Sequence, residues 1–176
     1  MALNYEHLDA RTRQYMQKEL DLDISGKTLY ISPRLNSQGS KEYPLLLKEA
    51  IQNYDDSWLA DNLRCTNCMN ATEQRKKRGG GISIVRVPIT APETLAEGEF
   101  NRFYIRGLCV RAMEDNIVEV VVCRGKQVSQ PRLESEALIG KRKSAKILLE
   151  DLRKSPGVET ALGLPRPNSG LTVRLP

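Results

Sequence analysis

Residues 90–126 read TAPETLAEGEFNRFYIRGLCVRAMEDNIVEVVVCRGK, and this stretch decides the fold. Thr90 followed three residues later by Glu93 has the spacing of a capping box, and Pro92 suits a first helical turn. From Leu95 to Met113, Phe100, Phe103, Tyr104, Leu108 and Cys109 recur at helical spacings. Both phenylalanines of the chain lie in this segment. Asn116 is the expected stop. Ile117–Cys123 (IVEVVVC) carries one charge and is rich in β-branched residues, as a central strand requires. The pattern predicts a core helix and core strand joined by a short turn, with the rest of the chain packed around them.

Outward from this unit the same reasoning gives a series of short elements. Asp9 is placed to cap a helix over 10–20, which Ser25-Gly26 ends. Thr28–Ile31 (TLYI) is a strand candidate stopped by Pro33, and 34–41 reads as a polar loop. Tyr43–Tyr54 is expected to be a helix with Pro44 in its first turn. Asp55-Asp56 start another over 57–64, which makes an αα-hairpin. Residues 65–81, CTNCMNATEQRKKRGGG, lack apolar periodicity and read as a flexible loop. Ile82–Val87 is a strand and 145–152 a short helix with Ile147, Leu148 and Leu152 on one side. Residues 155–176 hold four prolines and three glycines and read as an extended tail. Irregular crossovers favour an α+β fold, several helices around a small sheet, over a doubly wound one. The expected organisation is a single α+β domain over 1–154 with the basic loop at 65–81, followed by the tail.

Composition narrows the function classes. The chain has 176 residues and a net charge of +5, divided as −3 over 1–63 and +8 over 64–176. That asymmetry suits nucleic-acid contact or head-to-tail assembly, and equally suits ordinary scatter. No apolar run is long enough to span a membrane, and the first residues lack the apolar stretch of a secretory signal. The four cysteines are therefore expected to be reduced.

Motifs for catalysis are incomplete. Cys65 and Cys68 have C-x-x-C spacing, but a structural zinc site needs a second pair. Cys109 and Cys123 belong to the core helix and strand, so the expectation is no metal and no cofactor. His7 is the only histidine and sits near a chain end expected to be mobile. Asp55 and Asp56 read as helix caps beside Asp61, and Glu119 and Lys126 as residues on opposite strand faces. Arg124 with Glu134 and Glu136 matches an R…E-x-E pattern only by coincidence of types, its members lying too close in sequence. A non-enzyme is expected. Arg102, Arg106 and Arg111 are read as a solvated helix face, with Glu99 pairing Arg102. Arg75, Lys76, Lys77 and Arg78, followed by three glycines, are the candidate contact for a nucleic-acid backbone or an acidic partner. No phosphate-binding loop is present, because the glycines run into a strand. Leu171, Val173 and Leu175 alternate, so the tail is expected to add an edge strand to its own sheet or to a neighbour's. In the second case these three residues are the candidate subunit contact.

Three blocks, LYISPRL (29–35), TLAEGEFNRFYIRGLCVRA (94–112) and PNSGLTVRLP (167–176), resemble a group of phage- and prophage-encoded proteins of similar length. That group is associated with virion structural genes around the head and the head–tail junction. Cys65 and Cys68 lie outside these blocks. The resemblance implies a ring-forming head–tail connector (neck) subunit, assembled in the host cytoplasm and carried in the virion. Its implied partners are copies of itself and other virion proteins, with nonspecific DNA contact through the basic segment. The alternatives are a small cytoplasmic DNA-binding protein and a phage-encoded enzyme with an unrecognised site.

Overall fold

The computed structural model describes residues 2–157, 160–165 and 168–176. The fold is α+β. Helices α1 (Ala10–Ser25), α2 (Ser37–Asn53) and α3 (Asp56–Cys65) are followed by a hairpin of β1 (Thr72–Lys76) and β2 (Ile82–Arg86). Then come α4 (Ala91–Glu114), β3 (Glu119–Arg124), α5 (Leu133–Glu136), β4 (Arg142–Ser144), α6 (Ala145–Lys154) and β5 (Leu171–Arg174). The sheets are a two-stranded β1–β2 ribbon and a three-stranded antiparallel sheet ordered β4-β3-β5.

The core lies where the 90–126 stretch puts it. Sixteen of the 24 residues of α4 are buried. A helix covered all round is an interior element. It packs against α1, α3 and α6 and touches β3 and β5. Phe100, Phe103 and Tyr104 are sealed from solvent, and the Tyr5 ring meets Phe100 and Tyr104 with centroids 5.3 and 4.7 Å apart. Gly107 lets α1 approach: a Cβ there would lie 2.8 Å from the Met16 backbone nitrogen. Asn116 ends the unit with a positive φ of 58°, and β3 is the central strand of its sheet.

Caps set the other helix starts. Asp9 accepts from the Thr12 N–H, Asn36 from Gly39 and Asp55 from Trp58, each within 2.9 Å. The Asn36 cap corrects the polar loop expected at 34–41: the helix begins at Ser37, and Pro44 falls in its interior rather than its first turn. At Thr90 the expected capping box is absent. Its side chain makes no capping bond, and Glu93 instead pairs with Arg64. Thr28–Ile31 is not a strand. Its first two N–H groups donate to the Asp23 carbonyl, which draws the chain along the end of α1 with no strand beside it. The start of the chain is anchored as well: Asn4 N–H donates to the Gly125 carbonyl and His7 N–H to the Tyr104 hydroxyl.

Two larger expectations are corrected. The segment 65–81 is not a structureless loop, because Thr72–Lys76 pairs with Ile82–Arg86. Gly80 and Gly81, at φ 89° and 85°, make the connecting turn; the glycines close a hairpin rather than loosen a loop. The arginine stripe on α4 is not solvated, since Arg102 and Arg106 are both buried. Glu19 and Asp23, one turn apart on α1, meet Arg106 at 2.8 and 2.5 Å. Arg153 from α6 also pairs with Glu19. Arg102 stays beside Glu99 at 3.4 Å, as spacing predicts, and donates to the carbonyls of Leu152 and Ser155.

Of the tail, residues 158, 159, 166 and 167 lie outside the described residues. Leu171–Arg174 pairs with β3 of its own sheet, the intramolecular alternative. Leu171, Thr172 and Val173 are all buried, because Thr172 Oγ1 reaches the Asn101 side chain on α4 at 2.7 Å. The candidate subunit contacts Leu171 and Val173 thus belong to the chain's own core, and Leu175 packs partly against it.

Candidate interaction surface

The hairpin is the most exposed element with a defined shape. Its register puts Thr72, Gln74 and Lys76 opposite Arg86, Ile84 and Ile82 on one face, and all six are exposed. Ile82 is 62% and Ile84 74% accessible. The other face, with Glu73, Ser83 and Val85, is partly covered. Its base is fastened to the body. Arg34 holds Glu73 at 2.6 Å, and Arg75 meets the same carboxylate at 2.9 Å. These two guanidinium groups hold the Glu73 carboxyl below its ordinary range. Asn70 Nδ2 donates to the Leu35 carbonyl at 3.0 Å, and Leu35 bridges to Met69. The ribbon is an arm rooted at its base, whose outer face sets Ile82 and Ile84 side by side on β2 with Arg86 beyond them and Lys76, Gln74 and Thr72 opposite.

Electrostatics sharpen this picture. The acidic front of the sequence folds onto its basic back. Glu19 and Asp23 meet Arg106, Glu19 also meets Arg153, Asp9 meets Arg111, and Asp61 meets Arg64. Among the described residues, Lys76, Lys77, Arg78 and Arg86 have no acidic partner, so the arm carries four unpaired cations close together in the chain. Of the four predicted contact residues, Arg75 and Lys76 lie in β1, and Lys77 and Arg78 enter the turn. Arg75 alone is tied down.

The residues a catalytic reading would use are engaged elsewhere. Asp55 caps α3, and Asp61 pairs with Arg64 at 3.0 Å. Asp56 is buried and accepts from the Leu3 N–H; burial pushes its carboxyl up to about 6. Arg124 pairs with Glu136 and donates to the Ser169 carbonyl, which makes it a brace for the tail. Glu119 and Lys126 pair separately with Arg142 and Glu97. Cys65 is exposed and Cys68 buried; burial raises the thiols of Cys68, Cys109 and Cys123, the last two to about 12 and 11. Among the described residues no group of three His, Cys, Asp or Glu side chains is placed to hold a metal ion. None of the described helices is long and apolar enough to cross a membrane.

Sequence reasoning missed the hairpin because the polar TEQRK strand carries no hydrophobic signal of its own. The available clue was its partner, ISIVR, directly after three glycines. Compared with known proteins, the chain matches no family model, no curated protein and no solved structure.

Proposed function

We propose that the chain is a non-enzymatic assembly protein of a phage particle, a ring-forming connector subunit whose β1–β2 arm docks on the next copy. The observation that carries this is the outer face of the arm, with Ile82 and Ile84 standing in solvent, Lys76 opposite Ile82 and Arg86 next along the strand from Ile84. A two-stranded ribbon is marginally stable alone, and a rooted ribbon with exposed apolar side chains is suited to burial against a partner. The acceptor is the face shared by α1 and α2, where Leu22 and Leu45 are 55% and 70% exposed. Lys48 reaches Asp21 at 3.7 Å, which brings these two helices' exposed residues together. Glu42 and Glu49 lie one turn to either side of Leu45 and offer carboxylates to Lys76 and Arg86. Arm and acceptor are different surfaces, so the contact is heterologous and generates a ring when its rotation closes. The phage setting, the virion location and assembly in the host cytoplasm rest on the three resembling sequence blocks. Light scattering on the full chain should give a defined oligomer that Ile84→Glu reduces to a monomer with unchanged circular dichroism. An oligomer unaffected by that substitution would remove the arm from the interface.

A second reading has its own observation. Among the described residues, Lys76, Lys77, Arg78 and Arg86 carry unpaired charge on one ribbon, as contact with a phosphate backbone requires. On this reading the arm binds duplex DNA without sequence preference. Affinity for a random-sequence duplex would then fall steeply between 50 and 200 mM salt, by roughly 10- to 1,000-fold for a few phosphate contacts.

A further inference from the structure

A cavity of about 410 Å³ opens beside the first half of α4 and is lined also by Pro33, Arg34 and Pro165 and by Tyr30 and Gly157, which pack together. Its floor is α4 itself, through Thr94, Gly98, Glu99 and Arg102. Two of these are charged and almost wholly enclosed, with side-chain exposures of 8% for Glu99 and 5% for Arg102. Neither is saturated. Glu99 Oε1 receives the Arg102 Nε–H at 3.4 Å, and Oε2 accepts no hydrogen bond among the described residues. Arg102 Nη1 donates to the carbonyls of Leu152 and Ser155, while Nη2 has no acceptor among the described residues. Free hydrogen-bonding positions on two enclosed charged groups at a cavity floor are what a bound ligand would engage.

Charge balance selects the class of occupant. The four charged residues of the lining balance, Glu99 with Arg102 and Glu73 with Arg34; Arg75, which also meets Glu73, is exposed and outside the lining. An ionic ligand would leave one charge uncompensated in a poorly solvated place, which is costly. A neutral molecule would not. With a carboxylate oxygen and a guanidinium N–H side by side, the complementary edge offers one donor and one acceptor on neighbouring atoms. We infer that this cavity binds a small uncharged molecule with an amide-type edge, such as a carboxamide, a lactam or a nucleobase.

Gly98 supports the assignment. It is an interior helical position, where glycine is unfavourable relative to alanine, yet a Cβ there would meet nothing within 4 Å. The glycine leaves the cavity open. Its replacement by a larger residue should fill the space without disturbing the helix.

The test is a titration of the ¹⁵N-labelled full chain with uracil and with acetamide, against acetate and methylammonium as charged controls. Both neutral probes should produce saturable shifts at the amides of Gly98, Glu99 and Arg102, and the two ions should produce none there. Gly98→Leu should abolish the shifts while leaving the melting temperature undiminished, and Glu99→Gln should weaken uracil binding about tenfold or more. The inference is overturned if neither neutral probe shifts these amides, if the ions shift them equally, or if both variants titrate like the parent.

Discussion

Arg106 is the residue on which most of the buried charge converges. It holds Glu19 and Asp23 from α1, and Glu19 is shared with Arg153. Burial alone would raise the Glu19 carboxyl, but its hydrogen bonds and charge interactions with Arg153 and Arg106 outweigh that and hold it low. Removing one member of such a cluster leaves uncompensated charge inside. Arg106→Met should therefore cost about 3–5 kcal/mol by urea denaturation. A loss below about 1 kcal/mol would mean that water reaches the two carboxylates. Asp56 behaves in the opposite sense. Its folded carboxyl sits at about 6, above the ordinary aspartate value near 3.9. The folded state then holds the proton more tightly than the unfolded chain, so this residue's contribution is fully present below about pH 4 and is lost as pH rises through 6. Asp56→Asn should gain stability relative to the parent between pH 4 and 7, on the order of 2–3 kcal/mol. A pH-independent difference between the two proteins would contradict the shift. At this scale the charges were readable and their setting was not. Glu19 and Asp23 have one-turn spacing in the sequence, but only the close approach at Gly107 turns α1 onto Arg106 and makes a solvated-looking stripe a buried one.

At the level of elements, the helix–strand unit over 90–126 was the readable part, because α4 and β3 carry their hydrophobic patterns over enough residues to outweigh local ambiguity. Phe103→Ala should cost on the order of 3–5 kcal/mol, since the ring is fully enclosed; chemical denaturation checks this. Short polar strands behaved differently. β1 (TEQRK) and β4 (RKS) exist through the strands they pair with, Ile82–Arg86 and Glu119–Arg124, so no local pattern announces them. β5 is an intermediate case. The Leu171, Val173, Leu175 alternation was visible, whereas the choice between its own sheet and a neighbour's depended on Asn101, which bonds both Thr172 and the Leu171 carbonyl. Deleting Gly170–Pro176 removes two enclosed apolar side chains, each worth about 1.5–3 kcal/mol. The truncated chain should melt at a clearly lower temperature, and an unchanged melting temperature would show that β5 is dispensable to the core.

For the whole molecule, folding sets several acids of the front against bases of the back, and the arm keeps four cations without an acidic partner among the described residues. A rooted ribbon with Ile82 and Ile84 exposed, and a separate helical face with Leu22 and Leu45 exposed, is the arrangement a head-to-tail assembly needs. The central claim is that these two surfaces join one copy to the next. Ile84→Glu damages only the arm and Leu45→Glu only the acceptor, so each variant keeps the half that the other lacks. The most direct measurement is native mass spectrometry of the two variants, alone and mixed in equal amounts. The account predicts monomers from either variant alone and a 1:1 heterodimer, with nothing larger, from the mixture. A mixture that stays monomeric, or either variant still forming the parent's oligomer, would contradict it.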